Sequence, residues 1–282
     1  MLKQILMALV FTLTCMPAVG GELRVMTFNI RFDNPSDGLN NWKFRDQLVS
    51  SMFTKHQVDV AGLQEVTHGQ LLRLNELLPG YAAVGVGRDD GKTKGEYSPV
   101  FYRRDRFELV GNKTVWLSEK PEQVGSKSWD AALPRIATFV WLRDKTNKQV
   151  HLIVNTHYDH RGSIARKASS AVIVKWLQRL REKVKPATVT VMGDFNCREH
   201  SAPFQELVSN SSLVDSRSRL ESYSGPDSTW SGFKKVVPEQ RIDFVFVDKS
   251  MKVLSHLTDP SQVKGRFPSD HLPVIIGISL QN

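Results

Sequence analysis

The strongest constraint on this chain is a series of short apolar runs, each of strand length and each bounded by turn-forming residues. LRVMTFNIRF, DVAGLQEV, YAAVGVGR, SPVFYR, ATFVWLR, QVHLIVNTHY, TVTVMGDFN, RIDFVFVD and LPVIIGIS all read this way. Several are apolar almost throughout, the pattern of strands covered on both faces. Helical periodicity is rarer. It is clearest from Ala165 to Val184, where Ala165, Ala168, Val172, Trp176, Leu177, Leu180 and Val184 form one stripe. Further helices are expected in WKFRDQLVSSMFTKHQ and in GQLLRLNELL, which stops before Pro79. Many strands with few helices argue for two packed sheets flanked by helices over a single doubly wound sheet. With 282 residues, 40% of them hydrophobic, and neither an internal repeat nor a linker-like tract, the chain is expected to fold as one domain.

Polar side chains fall at the ends of these runs. Asn29 closes the first, Gln64 and Glu65 end DVAGLQEV, His157 and Asp159 end HLIVNTHYD, and Asp194 and Asn196 end VTVMGDFN. Asp243 interrupts RIDFVFV, while Asp270 and His271 precede the last run. Strand ends of a layered α/β fold are where distant segments converge on one crevice. Singly, these residues have plain structural explanations. Asn29 can cap a turn, Glu65 can sit in the first turn of the next helix, and GDFN has the composition of a tight loop. A lone histidine is most often a satisfied core or surface residue. Asp243 resists that treatment, because a buried carboxylate needs a cation, hydrogen-bond donors or a metal. As a set, oxygen ligands with two imidazoles suit a hard cation such as Mg²⁺ or Mn²⁺ better than zinc.

In their order and spread, TFNIR, LQEV, NTHYD, GDFN, RIDFVF and SDHLPV resemble the motifs of the endonuclease/exonuclease/phosphatase superfamily, whose members include deoxyribonuclease I-like nucleases. The resemblance covers essentially the whole chain after its first residues. It implies an α/β four-layer sandwich of two central β-sheets flanked by helices, and metal-dependent phosphoester hydrolysis by an activated water. Carried over residue by residue, it implies that Glu65 holds the divalent metal, helped by Asn29 and Asp270. Asp243 would orient His271, Asp194 and Asn196 would position water and a phosphate oxygen, and His157 would face the phosphate. Glu96 in EYSPVFYR would pair with His157, and Arg135 in LPRIATFV matches a phosphate-contacting arginine, the alternative being an ordinary surface arginine. Trp230, in STWSGF, is the best candidate to shape the substrate side.

Composition bears on place and substrate. MLKQILMALVFTLTCMPAVG, residues 1–20, has the basic start, apolar stretch and small-residue end of a secretory signal, leaving residues 21–282 as the single domain. Its removal would take Cys15 and leave Cys197 as the only cysteine, so no internal disulfide is expected. An exported protein, periplasmic or extracellular, follows. The formal net charge is +9, falling to +8 without Lys3, which favours anionic substrates, nucleic acid among them. Trp42, Trp129 and Trp230 could stack on bases, though packing is the commoner role of such residues. The reading expected is a phosphodiesterase or nuclease acting as a monomer without a stable protein partner. A phosphomonoesterase on sugar, inositol or nucleotide phosphates, a lipid head-group phosphodiesterase and an inactive anion-binding module are the alternatives.

Overall fold

A computed structural model describes residues 21–280; the expected signal, residues 1–20, lies outside them. In chain order the elements are β1 (Glu22–Asn29), α1 (Asp46–Lys55), β2 (Val60–Gln64), α2 (His68–Leu77), β3 (Tyr81–Val84), β4 (Val100–Arg103), β5 (Phe107–Trp116), β6 (Ile136–Asp144), β7 (Val150–His157), α3 (Ser163–Lys183), β8 (Thr188–Asp194), α4 (Ala202–Ser209), β9 (Leu213–Asp215), β10 (Asp243–Asp248), β11 (Val253–Thr258) and β12 (Val274–Ser279). They form two mixed six-stranded sheets, ordered β11-β12-β1-β2-β4-β3 and β5-β6-β7-β8-β10-β9.

Alternation along the strands sends side chains to three apolar layers. Leu23 and Val25 of β1 meet Ile153 of β7, Met192 of β8 and Val245 of β10 between the sheets. Met26 and Phe28, pointing the other way, pack with Val49, Met52 and Phe53 of α1 and Leu74 of α2. Val154 and Val191 face Ile173, Leu177 and Leu180 of α3 and Phe204 of α4. Helix, sheet, sheet, helix is the four-layer α/β sandwich.

The central strands coincide with the continuous apolar runs. The strands that the runs do not reveal, β5, β9 and β11, are all at sheet edges. Their exposed faces carry polar residues such as Glu108 and Ser255, which break the apolar run. Helix α4, also unforeseen, begins beside Pro203 in its first turn.

Two features bring the polar strand ends together. Pairing sets His157 of β7 opposite Asp194 of β8, and Asp194 opposite Asp243 of β10, so three chemically active side chains stand in a row. In the other sheet Asn29 of β1 pairs with Gln64 of β2. The two rows are clipped across the sandwich by Asn155, whose Oδ1 accepts from Gln64 Nε2 at 2.7 Å and whose amide donates to Leu63 and Pro99 carbonyls. Gly62 makes room for that clip: a Cβ there would lie 2.6 Å from Asn155.

Candidate active site

Glu65 follows β2 just before the Thr67 N-cap of α2, with φ near 60°, a left-handed conformation. It is thus outside the helix. Arg31 and Asn196 adopt the same backbone region, so three strained residues line one crevice, as is common where geometry serves chemistry. The loop after β1 is fixed from both sides. Phe32 N–H donates to Glu65 Oε2 (3.1 Å), while Gln70, the partner of Thr67 in the α2 capping box, donates to Arg31 O (2.9 Å) and accepts from Asp33 N.

Asn29 is buried, and its Nδ2 donates to Glu65 Oε1 (3.1 Å) and Asp194 Oδ2 (3.0 Å), while Oδ1 accepts from Arg31 N. One side chain therefore both closes the turn and links the polar ends of two sheets. Asp270 receives a hydrogen bond from Ser269 Oγ (3.2 Å). Burial pushes its carboxyl up, Glu65 adds to that, and His271 and Arg31 oppose it. Two mutually repelling carboxylates, with Arg31 4.0 Å from Glu65, make an oxygen-rich locus that suits a hard divalent cation. Asn29 contributes a carbonyl with a lone pair to spare.

Asp194 Oδ2 lies at the centre, 3.5 Å from His157 Nε2 and 3.8 Å from His271 Nε2. Burial and then the facing Asp243 carboxylate raise Asp194 to about 7. His271 Nδ1 donates to Asp243 Oδ2 at 2.9 Å. Burial alone would lower this imidazole, but Asp243, Asp194 and Asp270 outweigh it and hold it well above its ordinary value. Asp194, Asp243 and His271 can also offer ligand atoms within 4.8 Å of one another, a second grouping of cation-binding size.

His157 is the reverse case. Burial, then Arg135 and Arg88, push it well below its ordinary value, so it is neutral. Asn196 Nδ2 donates to His157 Nε2 (3.0 Å), which leaves the proton on Nδ1, 3.9 Å from Glu96 Oε2. Glu96 is instead clamped bidentately by Arg88 (2.7 and 3.0 Å). Arg135 is only 4% exposed, not an ordinary surface arginine; it lies 3.5 Å from Asp159 and hydrogen-bonds His160 Nδ1 at 2.9 Å. Arg88, Glu96, Arg135 and His157 line one small recess. His157 Nδ1, Arg88 Nε and Arg135 Nη1 are all buried donors without a partner.

Trp230 reaches the site by its backbone, which bridges to His271, while its ring packs near Gly232. Trp42 is 6% exposed and packs under the helix layer; Trp129 lies on the surface and lines a separate cavity. Two contributors escape the strand-end pattern. Arg88 comes from a hairpin whose Gly91 turn returns the chain so that Arg88 N bonds Glu96 O; the GRDDGKTKGE spacing is the readable signal. Arg45, 1% exposed, donates to Ile30 O and Pro268 O (2.8 Å each) and to Arg31 O. It ties together the loops bearing Asn29 and Asp270; burial lowers it to about 10, still charged at neutral pH.

The profile of the Endonuclease/Exonuclease/phosphatase family matches residues 26–271. Among solved structures, an endonuclease/exonuclease/phosphatase from Bacteroides vulgatus is 38% identical, with a TM-score of 0.87 over 92% of this chain and 99% of that one. A mannosyl-6-phosphatase from Bacteroides thetaiotaomicron is 34% identical, with a TM-score of 0.85 over 91% and 99%. The human Nocturnin catalytic domain with bound sulfate shares the fold at 21% identity, with a TM-score of 0.72 over 92% and 93%. None of the curated proteins compared with the chain matches it.

Proposed function

The chain belongs to the endonuclease/exonuclease/phosphatase family, and from that membership we propose that it is a divalent-metal-dependent phosphomonoesterase that removes phosphate from a sugar or glycan. The observation that carries this reading is the recess beside His157, where three buried donors from Arg88, Arg135 and His157 lack partners. Unpaired buried donors are costly, and the two guanidiniums, although Arg88 also pairs with Glu96 and Arg135 lies 3.5 Å from Asp159, keep N–H groups that suit the extra oxygen charge of a terminal phosphate. The 34% identity to a mannosyl-6-phosphatase over nearly the full chain points to the sugar.

Glu65, Asp270 and the Asn29 carbonyl would hold Mg²⁺ or Mn²⁺, which when bound supplies positive charge to the phosphoryl oxygens. Asp194, held by Asn29 and the Asn196 N–H (2.8 Å), orients the attacking water and is placed to take its proton. His271, with its Nδ1 fixed on Asp243, presents Nε2 to the phosphate or the leaving oxygen. His157, Arg88 and Arg135 hold the non-reacting oxygens. Trp230, whose backbone bridges to His271, would shape the sugar side. We further propose export, from the signal-like residues 1–20, and a monomeric single domain.

A nucleic-acid phosphodiesterase is the second reading, favoured by the net charge of +9. The most basic short run weakens it. Arg106 pairs with Asp59 and Asp144, Arg103 with Asp105, and Arg104 donates to Tyr81 O, leaving that stretch occupied. The deciding experiment is phosphate release from mannose 6-phosphate, inositol phosphates and nucleotides with Mg²⁺ or Mn²⁺, beside cutting of plasmid DNA and RNA at increasing salt. Release from mannose 6-phosphate is expected. Salt-sensitive cutting of DNA or RNA with no release from any monoester would overturn the monoesterase.

A further inference from the structure

Away from the crevice, a cavity of about 410 Å³ lies between residues 118–123, Trp129 and the outer side of α3, a volume in the range of small-ligand sites. Trp129 is 38% exposed and has φ near 56°, a backbone conformation costly for a bulky side chain. It is held there from both sides. Ser128 Oγ accepts from Glu119 N (3.0 Å), and the Asp130 carboxylate accepts from Ile164 N and Ala165 N (3.2 and 2.7 Å) at the start of α3. A strained indole, anchored at each neighbour yet left open to solvent over a cavity, is an arrangement that packing alone does not require.

The opposite wall contains Trp176, 8% exposed, against which the Arg179 guanidinium and Lys113 ammonium lie 5.0 and 5.8 Å from the ring centre. Glu119 and Gln123 add acceptors, and Lys175 adds donors. Donors and acceptors of both charges surround an exposed aromatic face. Such a lining suits a ring whose face is apolar C–H and whose edge is hydroxyl, since the C–H face meets the negative face of an indole. Lys120, Lys175 and Arg179 share that lining with Glu119 and Glu122, so charge of both signs is spread around the aromatic face.

We infer that this cavity is a second saccharide-binding site, which takes a pyranose ring of a glycan against Trp129. As a role in catalysis it rests on the sugar-phosphatase reading above. The cavity and the crevice are joined through the chain: after Trp129 it passes Leu133, whose N–H bonds Asp159 Oδ2 (3.2 Å), and reaches Arg135, which lines the recess beside His157. A glycan seated here would present its phosphorylated end from a fixed direction and would raise affinity for long substrates over monosaccharides.

The test is titration of the full protein with unphosphorylated α-mannotetraose, maltotetraose and cellotetraose, followed by calorimetry and indole fluorescence. Saturable binding of at least one is expected, weakened about tenfold or more by Trp129→Gly, which removes some 1.4 kcal/mol or more of contact. Glycine accepts the positive φ, so the melting temperature of this variant should hold or rise. Lys175→Ala should weaken binding by a smaller factor. With mannose 6-phosphate, Trp129→Gly should release phosphate at the parent rate; with a phosphorylated oligomannoside its KM should rise. Absence of saturable binding to all three saccharides, or binding that Trp129→Gly leaves intact, would overturn the site. A protein that binds a tetraose but hydrolyses no sugar phosphate would retain the site and lose the catalytic reading instead.

Discussion

The two halves of the crevice are built on one plan and finished differently. Each offers a buried imidazole with a carboxylate behind it. On one side His271 donates to Asp243 at 2.9 Å, and three surrounding carboxylates hold it charged. On the other, His157 stands 3.9 Å from Glu96, the carboxylate is spent on Arg88, and burial followed by two guanidiniums holds the imidazole neutral. The first half leaves one buried acceptor, Asp243 Oδ1, without a hydrogen-bond partner; the second leaves three donors, on Arg88, Arg135 and His157. Unsatisfied groups are tolerated where a ligand supplies the missing partner, and spare donors suit an anion, so under the proposed function the half with the charged imidazole does the proton chemistry and the donor-rich half binds the phosphate.

The sharpest way to break this division is to remove its strongest members. Glu65→Ala and His271→Ala should each lower kcat by roughly 10³-fold or more, measured as phosphate release at saturating Mg²⁺. Residual activity within tenfold of the parent would dissolve the assignment. Next comes the donor-rich half: Arg135→Met and Arg88→Met should lower kcat/KM for a monoester by about 10- to 100-fold, mostly through KM, because a charge-assisted hydrogen bond contributes about 1.5–3 kcal/mol. An effect on kcat alone would place these arginines in the proton chemistry after all. The carboxylates then discriminate the halves directly. Asp243→Asn should reduce kcat by about 10²-fold, Glu96→Gln by about tenfold or less, since only Asp243 touches its histidine. Equal losses would erase the asymmetry.

How much of this could be read in advance follows from how each residue reaches the crevice. Asn29, His157, Asp194 and Asp243 are strand-end residues of central strands, whose unbroken apolar runs announce where they stop. The sandwich itself was legible for the same reason, and the edge strands β5, β9 and β11 were not, since half-exposed strands lack a continuous run. Arg88 and Arg45 act from a hairpin and from the start of a helix, Arg88 through a carboxylate on the returning arm of its own hairpin and Arg45 through backbone carbonyls, one of them far along the chain. No local periodicity reports such contacts. The exposed Trp129 likewise looks like any surface tryptophan until its strained φ and its cavity are seen.

The smallest expected effect separates the site histidines from two that share their burial but not their task. His151 and His256 are buried in the structural part of the sandwich, each bonded through Nδ1 to one hydroxyl, of Thr188 and Ser216, with Nε2 unpartnered. Burial lowers both to about 4, with Asp144 beside His151 and Asp215 beside His256 opposing it only in part. A histidine depressed in the folded state costs nothing at pH 7, where both states are neutral. As pH falls below about 6.5 the unfolded chain takes up the proton and the folded one does not, so stability declines until about pH 4 and then levels off. At pH 5 the cost is on the order of 1–2 kcal/mol per histidine. Replacing His151 with Gln should therefore shrink the drop in melting temperature between pH 7 and pH 5 by a few degrees while leaving phosphate release at pH 7 unchanged. An unchanged drop would mean that His151 titrates normally despite its burial, and burial would then no longer explain why His157, with two arginines beside it, is neutral.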